Sequence, residues 1–239
     1  MTEQIEQFNL AKSQREALHK TLIWTKDFFN NVPAEAHIGG HGFDKTMRQS
    51  AIAARLSQRE GQPIFLPTLT AMIMDVGRTK SSDLRSRSYQ HGILSREMVS
   101  PLLDLIDILS KDDRVLVEEA VEDHPKMNEN VRRNYVVEIA MDADRLDCLG
   151  PLGPLRAATW RPNIPLILPG ETDSRSGDTD ILTIWQDMSI RQMEWVDMLW
   201  TKAAKEECKD DVEEYKKYLN WLQIWASRVY SSFDRLEIS

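Results

Sequence analysis

Apolar residues recur along most of this chain at helical spacing, and polar residues that fall on the same faces mark candidate chemistry. In the stretch ending Met141-Asp142-Ala143-Asp144-Arg145-Leu146-Asp147-Cys148-Leu149-Gly150, Val137, Ala140, Met141 and Asp144 occupy i, i+3, i+4 and i+7 of one helical face. A carboxylate therefore falls on an apolar stripe. Burying it unpaired is so costly that it must be protonated, hydrogen-bonded or neutralised by a cation. The rest of the sequence is expected to supply that cation.

The same periodicity predicts a helix over about 3–30, with Leu18, Leu22 and Phe29 near one face, broadened by Trp24 and Phe28, and ended by Asn30-Asn31-Val32-Pro33. His37-Ile38-Gly39-Gly40-His41-Gly42 is a glycine-rich connection into a second helix over about 43–60, stopped by Gly61 and Pro63. Asp44, Lys45 and Arg48 lie near its start. Pro67 is placed to begin the next helix, and Leu69 to Val76 is apolar nearly all round, so this segment is the expected central, buried helix, with Gly77 as its C-cap. Asp75 then lies in a last turn, where the helix dipole disfavours negative charge. It is a second acid in need of a cation.

His91-Gly92 opens a further helix, Pro101 starts another with Leu102, Leu103, Ile106 and Leu109, and one over about 112–124 puts Val117, Ala120, Val121 and His124 on one face. His124 is thereby aimed inward. Five prolines and three glycines make 151–180 the least regular region, of the length that is usually functional or mobile. Two amphipathic helices, about 181–206 and 210–232, close the chain. Trp185, Met188, Gln192, Trp195 and Leu199 stripe the first, and Tyr218, Trp221, Leu222 and Trp225 the second; core or oligomer packing is the expected role of these tryptophans. Strand signals and internal repeats are nearly absent, so the expected class is an all-α, single-domain bundle.

Composition narrows the function more than the fold. The 239 residues are 41% hydrophobic and 28% charged, ordinary for one packed domain. A net charge of −8 argues against an extended grip on nucleic acid or an anionic membrane. Two cysteines form no disulfide framework, and no run of about 18 apolar residues occurs, so a cytoplasmic setting is expected. Against this acidic background, Arg78, Lys80, Arg85 and Arg87 crowd one polar loop with Asp83 alone opposing them. Such a loop is either a solvated surface or a phosphate-binding element.

Asp75, His91, His124 and Asp144, inward polar groups on successive helices, form the type of constellation that binds divalent metals and activates water. At these residues the sequence resembles the HD superfamily of metal-dependent phosphohydrolases, and most resembles a small bacterial branch whose helix runs D-A-D-R-L-D-A-L-G-A-I-G-x-A-R. Here that stretch is Asp142 to Arg156. The likeness spans roughly 37–156, with 1–36 as a helix packed on that core and 157–239 completing the same domain; Trp200 to Lys205 is a weaker echo. The resemblance implies an HD-type bundle in which Asp75 is the aspartate of the His-Asp pair, Asp144 the last aspartate ligand, and His91 and His124 additional ligands. His41 and Arg48 match the flanks of the first motif.

Lys45 and Met74 stand where the resemblance calls for histidine ligands. A thioether is a poor ligand for hard or borderline metals, so the first metal place keeps only its two aspartates. Lys45 is expected to bridge Asp75 and Asp144 in the ion's stead. One divalent ion at most, manganese, iron, zinc, nickel or magnesium, has Asp75, His91 and His124 left to hold it; the alternative is none. The implied chemistry assigns Asp75, Asp144 and Lys45 to catalysis, and Arg48, Arg78, Lys80, Arg85 and Arg87 to the substrate phosphate. Two functions stay open: hydrolysis of a nucleotide or other small phosphoester, and a pseudoenzyme that binds a ligand or partner protein. A paired-iron oxygenase is a poorer match after the loss of two nitrogen ligands, and a homo-oligomer remains open.

Overall fold

The computed structural model describes residues 8–33, 40–80, 87–126, 131–160, 165–167 and 183–233. Among them every regular element is helical, in agreement with the all-α class. No helix there is long and apolar enough to cross a membrane. The chain divides into two compact units, Met1–Asp147 with Trp200–Ala204, and Cys148–Leu199 with Lys205–Ser239.

The first unit is built on α1 (Lys12–Asn30), α2 (Phe43–Arg59), α3 (Phe65–Ile73), α4 (Arg87–Leu103), α5 (Lys111–Asp123) and α6 (Tyr135–Leu149). Helix α3 is buried at all of its positions and is packed by α1, α2 and α5. Leu69, Met72, Ile73 and Met74 from its end meet Leu18, Val99, Val117, Val121, Val137 and Met141 in one core. Each such side chain contributes roughly 1.5–3 kcal/mol through burial. Local signals set the ends of the flanking helices: Ser110 Oγ accepts from Asp113 N at 3.1 Å in a capping box, and Asn134 Oδ1 accepts from Val136 N and Val137 N at 3.0 Å.

Three expectations for this unit are corrected. His91-Gly92 opens no helix, because α4 already begins at Arg87 and carries His91 in its second turn. Helix α3 begins at Phe65, with Pro67 inside the first turn where its missing N–H costs no bond, and it ends at Ile73. Gly77 is therefore no C-cap. It lies in a 3-10 turn, Val76–Lys80, and donates its N–H to Ser95 Oγ at 2.8 Å; a Cβ there would collide with His91 O and Ser95 N. Pro101 begins no helix either. It sits in the last turn of α4, where it removes one backbone bond, and Asp104 N then bonds Ser100 O at 3.2 Å as the helix closes.

The second unit contains α7 (Gly153–Trp160), α8 (Ile184–Gln186), a π-helical turn (Asp187–Gln192) and α9 (Met193–Asp197). Most of α10 (Lys202–Phe233) belongs to it as well. Trp185, Met188, Tyr215, Leu219 and Ala226 form its core, and Trp185 Nε1 donates to Leu219 O at 3.4 Å. Part of the expected irregular region is helical, as α7; apart from 165–167, residues 161–182 lie outside those described. So do 1–7 and 34–39, which hold the start of the expected first helix and the first half of the glycine-rich connection.

The closing helices break at Met198 to Thr201, not near 207–209. The reason lies 58 residues back. Asp142 accepts from Trp200 N at 3.1 Å and Thr201 N at 2.8 Å, which fixes a non-helical link and releases α10 at Lys202.

Candidate functional site

Five elements of the first unit deliver the polar centre. Lys45 and Gln49, four residues apart on α2, share an inward face; Asp75 follows α3, His91 lies on α4, His124 ends α5 and Asp144 lies on α6. Close helix packing brings the histidines together. At Gly92 a Cβ would collide with Glu122 O, so α4 and α5 approach where only glycine fits, one residue from His91 and two from His124.

Lys45 Nζ, buried to 1% exposure, is ion-paired with Asp75 Oδ2 and lies 2.8 Å from Asp144 Oδ1. Gln49 Nε2 reinforces the same pair, donating to Asp144 Oδ1 at 2.7 Å and more weakly to Asp75 Oδ2 at 3.4 Å. The other oxygen of Asp75, Oδ1, accepts from Arg78 Nε at 2.6 Å and lies 3.5 Å from His124 Nε2 and 4.0 Å from His91 Nε2. Burial alone would push the Asp75 carboxyl up, but the charges of Lys45 and Arg78, helped by His124, hold it well below the usual carboxylate range. The centre opens toward solvent at Asp144, whose side chain is 21% exposed.

One imidazole is preset. His124 Nδ1 lies 2.7 Å from Val121 O and donates to it, which turns Nε2 toward Asp75 and His91. His91 Nε2 lies 3.0 Å from that atom. This is the distance of a hydrogen bond between the two rings, and it also falls in the range of about 2.9–3.4 Å expected for two nitrogens each roughly 2.0–2.1 Å from one zinc-like ion. Asp75, His91 and His124 offer ligand atoms all within 4.8 Å of one another.

Asp75, Asp144, Lys45, His91 and His124 thus lie together; the basic residues are more dispersed. Arg78 is turned onto Asp75. Arg48 is engaged by Asp147 at 2.6 Å and by Asp44 at 2.7 Å. Lys80 is exposed at the end of the 3-10 turn, whereas Arg85 and the side chain of Arg87 lie outside the described residues. Met74 packs in the hydrophobic core and His41 is buried just before α2.

Sequence reasoning passed over two groups. Gln49 was detectable as a polar residue four positions after Lys45, in line with buried Ala53 and Leu56. Asp142, two residues before Asp144 and so on the opposite side of α6, is the more deeply buried of the two and accepts from Trp200 N, Thr201 N and Thr201 Oγ1. Burial pushes its carboxyl up despite these donors and Arg145. Asp144, first in line on the apolar stripe, is the least buried of the motif's three aspartates.

No protein-family model and no curated protein matches the sequence. Solved structures do. An HD-superfamily hydrolase from Bacillus thuringiensis is similar over 90% of this chain and 99% of its own, at 18% identity and a TM-score of 0.60. A predicted HD superfamily hydrolase from an uncultured Thermotogales bacterium is similar over 88% and 92%, at 17% identity and a TM-score of 0.55. The chain has the HD-superfamily fold. Bacillus subtilis YpgQ in complex with ADP is similar over 88% of this chain and 95% of its own, at 16% identity and a TM-score of 0.63.

The HD fold implies a divalent metal, and the residues here fit it unequally. Two imidazoles at ligand spacing and a flanking carboxylate suit one borderline ion. The space between Asp75 and Asp144 does not suit another, because Lys45 and Gln49 already direct three or more N–H donors into it.

Proposed function

We propose that the chain is an HD-type phosphohydrolase acting on a nucleotide or other small phosphoester, with at most one divalent ion held by Asp75, His91 and His124. The observation that carries this is the buried three-ligand group, with its paired imidazole nitrogens 3.0 Å apart. An ion held there supplies Lewis acidity toward a phosphoryl oxygen and lowers the pKa of water. The chain's own groups do the rest. The Val121 carbonyl keeps the His124 tautomer and aim fixed. Lys45 neutralises Asp144 and half of Asp75, so a phosphate enters without meeting two bare carboxylates. Arg78 and Lys80 supply charge for the phosphate. The ADP named with the B. subtilis neighbour supports a nucleotide-like substrate.

The test is phosphate and pyrophosphate release from nucleoside mono-, di- and triphosphates, with manganese, iron, zinc, nickel or magnesium added singly. Turnover abolished by His91→Ala and His124→Ala is the expected result. Lack of turnover with every ion and nucleotide overturns it.

One observation favours the pseudoenzyme. Lys45 and Arg78 already satisfy Asp75, so the centre is electrostatically complete without an ion. On that reading the chain binds a nucleotide-like ligand or a partner protein without turnover. Elemental analysis of protein purified without chelator separates the two: a stoichiometric metal lost in His91→Ala supports the enzyme, and fully folded, metal-free protein the pseudoenzyme.

A further inference from the structure

Helix α10 buries Val212, Tyr215, Leu219 and Ala226 on one face. On another it leaves Tyr218, Trp221, Ile224 and Trp225 exposed at 40%, 55%, 49% and 43%. Tyr218, Trp221 and Trp225 follow i, i+3, i+7 spacing, and the Tyr218 and Trp221 rings lie 6.0 Å apart, so they form one stripe. With large aromatics contributing 150–250 Å² each when fully buried, the stripe presents roughly 400 Å² of apolar surface, the size at which a patch on a monomer is commonly functional. Two tryptophans so exposed on one helix are costly unless something covers them.

The charges around the stripe identify what does. Glu214 and Arg228 each lie seven residues from Trp221, nearly two turns, and so return to its face on opposite sides. Both are exposed. Asp210, Asp211, Glu213 and Glu214 crowd the N-terminal side. The Glu214 and Arg228 placement is self-complementary under a two-fold axis, and the excess of acids on the N-terminal side disfavours an anionic lipid surface. We propose that the stripe is an isologous dimer interface, in which α10 crosses α10 of a second copy antiparallel with the axis at Trp221. That register sets Trp221 against the partner's Trp221, Tyr218 against the partner's Ile224, and Lys217 over the partner's Trp225 as a cation–π pair. Glu214, which also holds Lys217 of its own helix at 2.6 Å, then faces the partner's Arg228. Two stripes together bury less than the roughly 1,000 Å² of a stable complex, so the dimer is weak.

Sedimentation equilibrium of the full chain from about 1 to 100 μM, the range expected for such an area, tests this. The expected result is a monomer–dimer equilibrium whose dissociation constant rises at least about tenfold in Trp221→Glu, with an unchanged circular-dichroism spectrum. Glu214→Arg and Arg228→Glu, both at exposed positions, each weaken the dimer with an unchanged circular-dichroism spectrum, and the double variant restores it. A monomer at every concentration, or a dimer indifferent to Trp221→Glu, overturns the proposal. So does a double variant as weak as the singles. Stripe-dependent pelleting with phosphatidylglycerol vesicles in the absence of self-association overturns it as well.

Discussion

Arg78 Nε donates at 2.6 Å to the same oxygen of Asp75, Oδ1, that faces the nitrogens of His124 and His91. A guanidinium and a divalent ion compete for that oxygen and repel each other. Arg78 is therefore expected to restrain metal binding until a phosphate draws it away. Arg78→Ala should bind zinc or manganese more tightly, by about tenfold, equivalent to roughly 1.4 kcal/mol, while phosphate release falls. Calorimetric titration of the metal-free protein checks the first part; weaker binding in the variant would sink the idea.

A buried ammonium between two carboxylates makes Lys45 expensive to remove. Taking one partner from a buried pair costs about 3–5 kcal/mol, and the partial exposure of Asp144 and the help of Arg78 and Gln49 place Lys45→Ala near the lower end. Denaturant unfolding in chelator measures this. Zinc or manganese should restore part of the loss in the variant and much less in the parent, because the ion then supplies the missing charge. Equal stability of the two proteins without metal rules this role out.

The acid response follows from the same pair. Asp75 titrates well below its unfolded value of about 3.9, so its contribution to stability is present in full above about pH 4 and is lost as pH falls through the lower folded value. In Lys45→Ala burial is opposed by Arg78 and His124 without the ammonium, and the folded value rises. Acid unfolding of the variant should therefore begin at a higher pH than that of the parent. Melting temperature followed from pH 7 to pH 3 reads the offset, and superimposable profiles would contradict it.

Helices with complete local signals were legible in the sequence. Ser110 and its capping box start α5 within a residue of the expected place, and α6 carries its apolar face as its periodicity requires. Polar residues on those faces, with the family resemblance, also pointed to Asp75, His91, His124, Asp144 and Lys45. Features set by distant contacts were not legible. Gly77 looks like a C-cap until Ser95 is placed against it, and nothing near residues 198–201 announces a break that Asp142 imposes. Pro101 misled for a related reason: a proline in a final turn costs one bond, which core packing through Leu102 and Leu103 outweighs.

Asp142 tests that long-range break directly. Its side chain satisfies Trp200 N, Thr201 N and Thr201 Oγ1, so Asp142→Ala strands buried donors and should cost about 2–4 kcal/mol. Burial raises the pKa of this carboxyl, which means its charge is a liability that an amide lacks. Asp142→Asn is accordingly expected within about 1 kcal/mol of the parent at neutral pH. Urea midpoints of the two variants decide it; a large loss in Asn would show that the charge itself holds the link.

The closest tie between fold and site is at Gly77. Its N–H bonds Ser95 Oγ, and a methyl group in place of its hydrogen would strike His91 O and Ser95 N, backbone atoms of α4 that cannot turn aside as a side chain can. Relief requires α4 to shift from the 3-10 turn, and His91 rides on α4. Gly77→Ala should therefore cost more than about 1 kcal/mol, the low end for overpacking. It should also weaken metal binding out of proportion, since a ligand pair tolerates little displacement. Ser95→Ala is the control: it removes the hydrogen bond and leaves the helix spacing intact. Metal affinity should fall in Gly77→Ala and hold in Ser95→Ala. Equal losses in both would assign the effect to the hydrogen bond instead of the close approach.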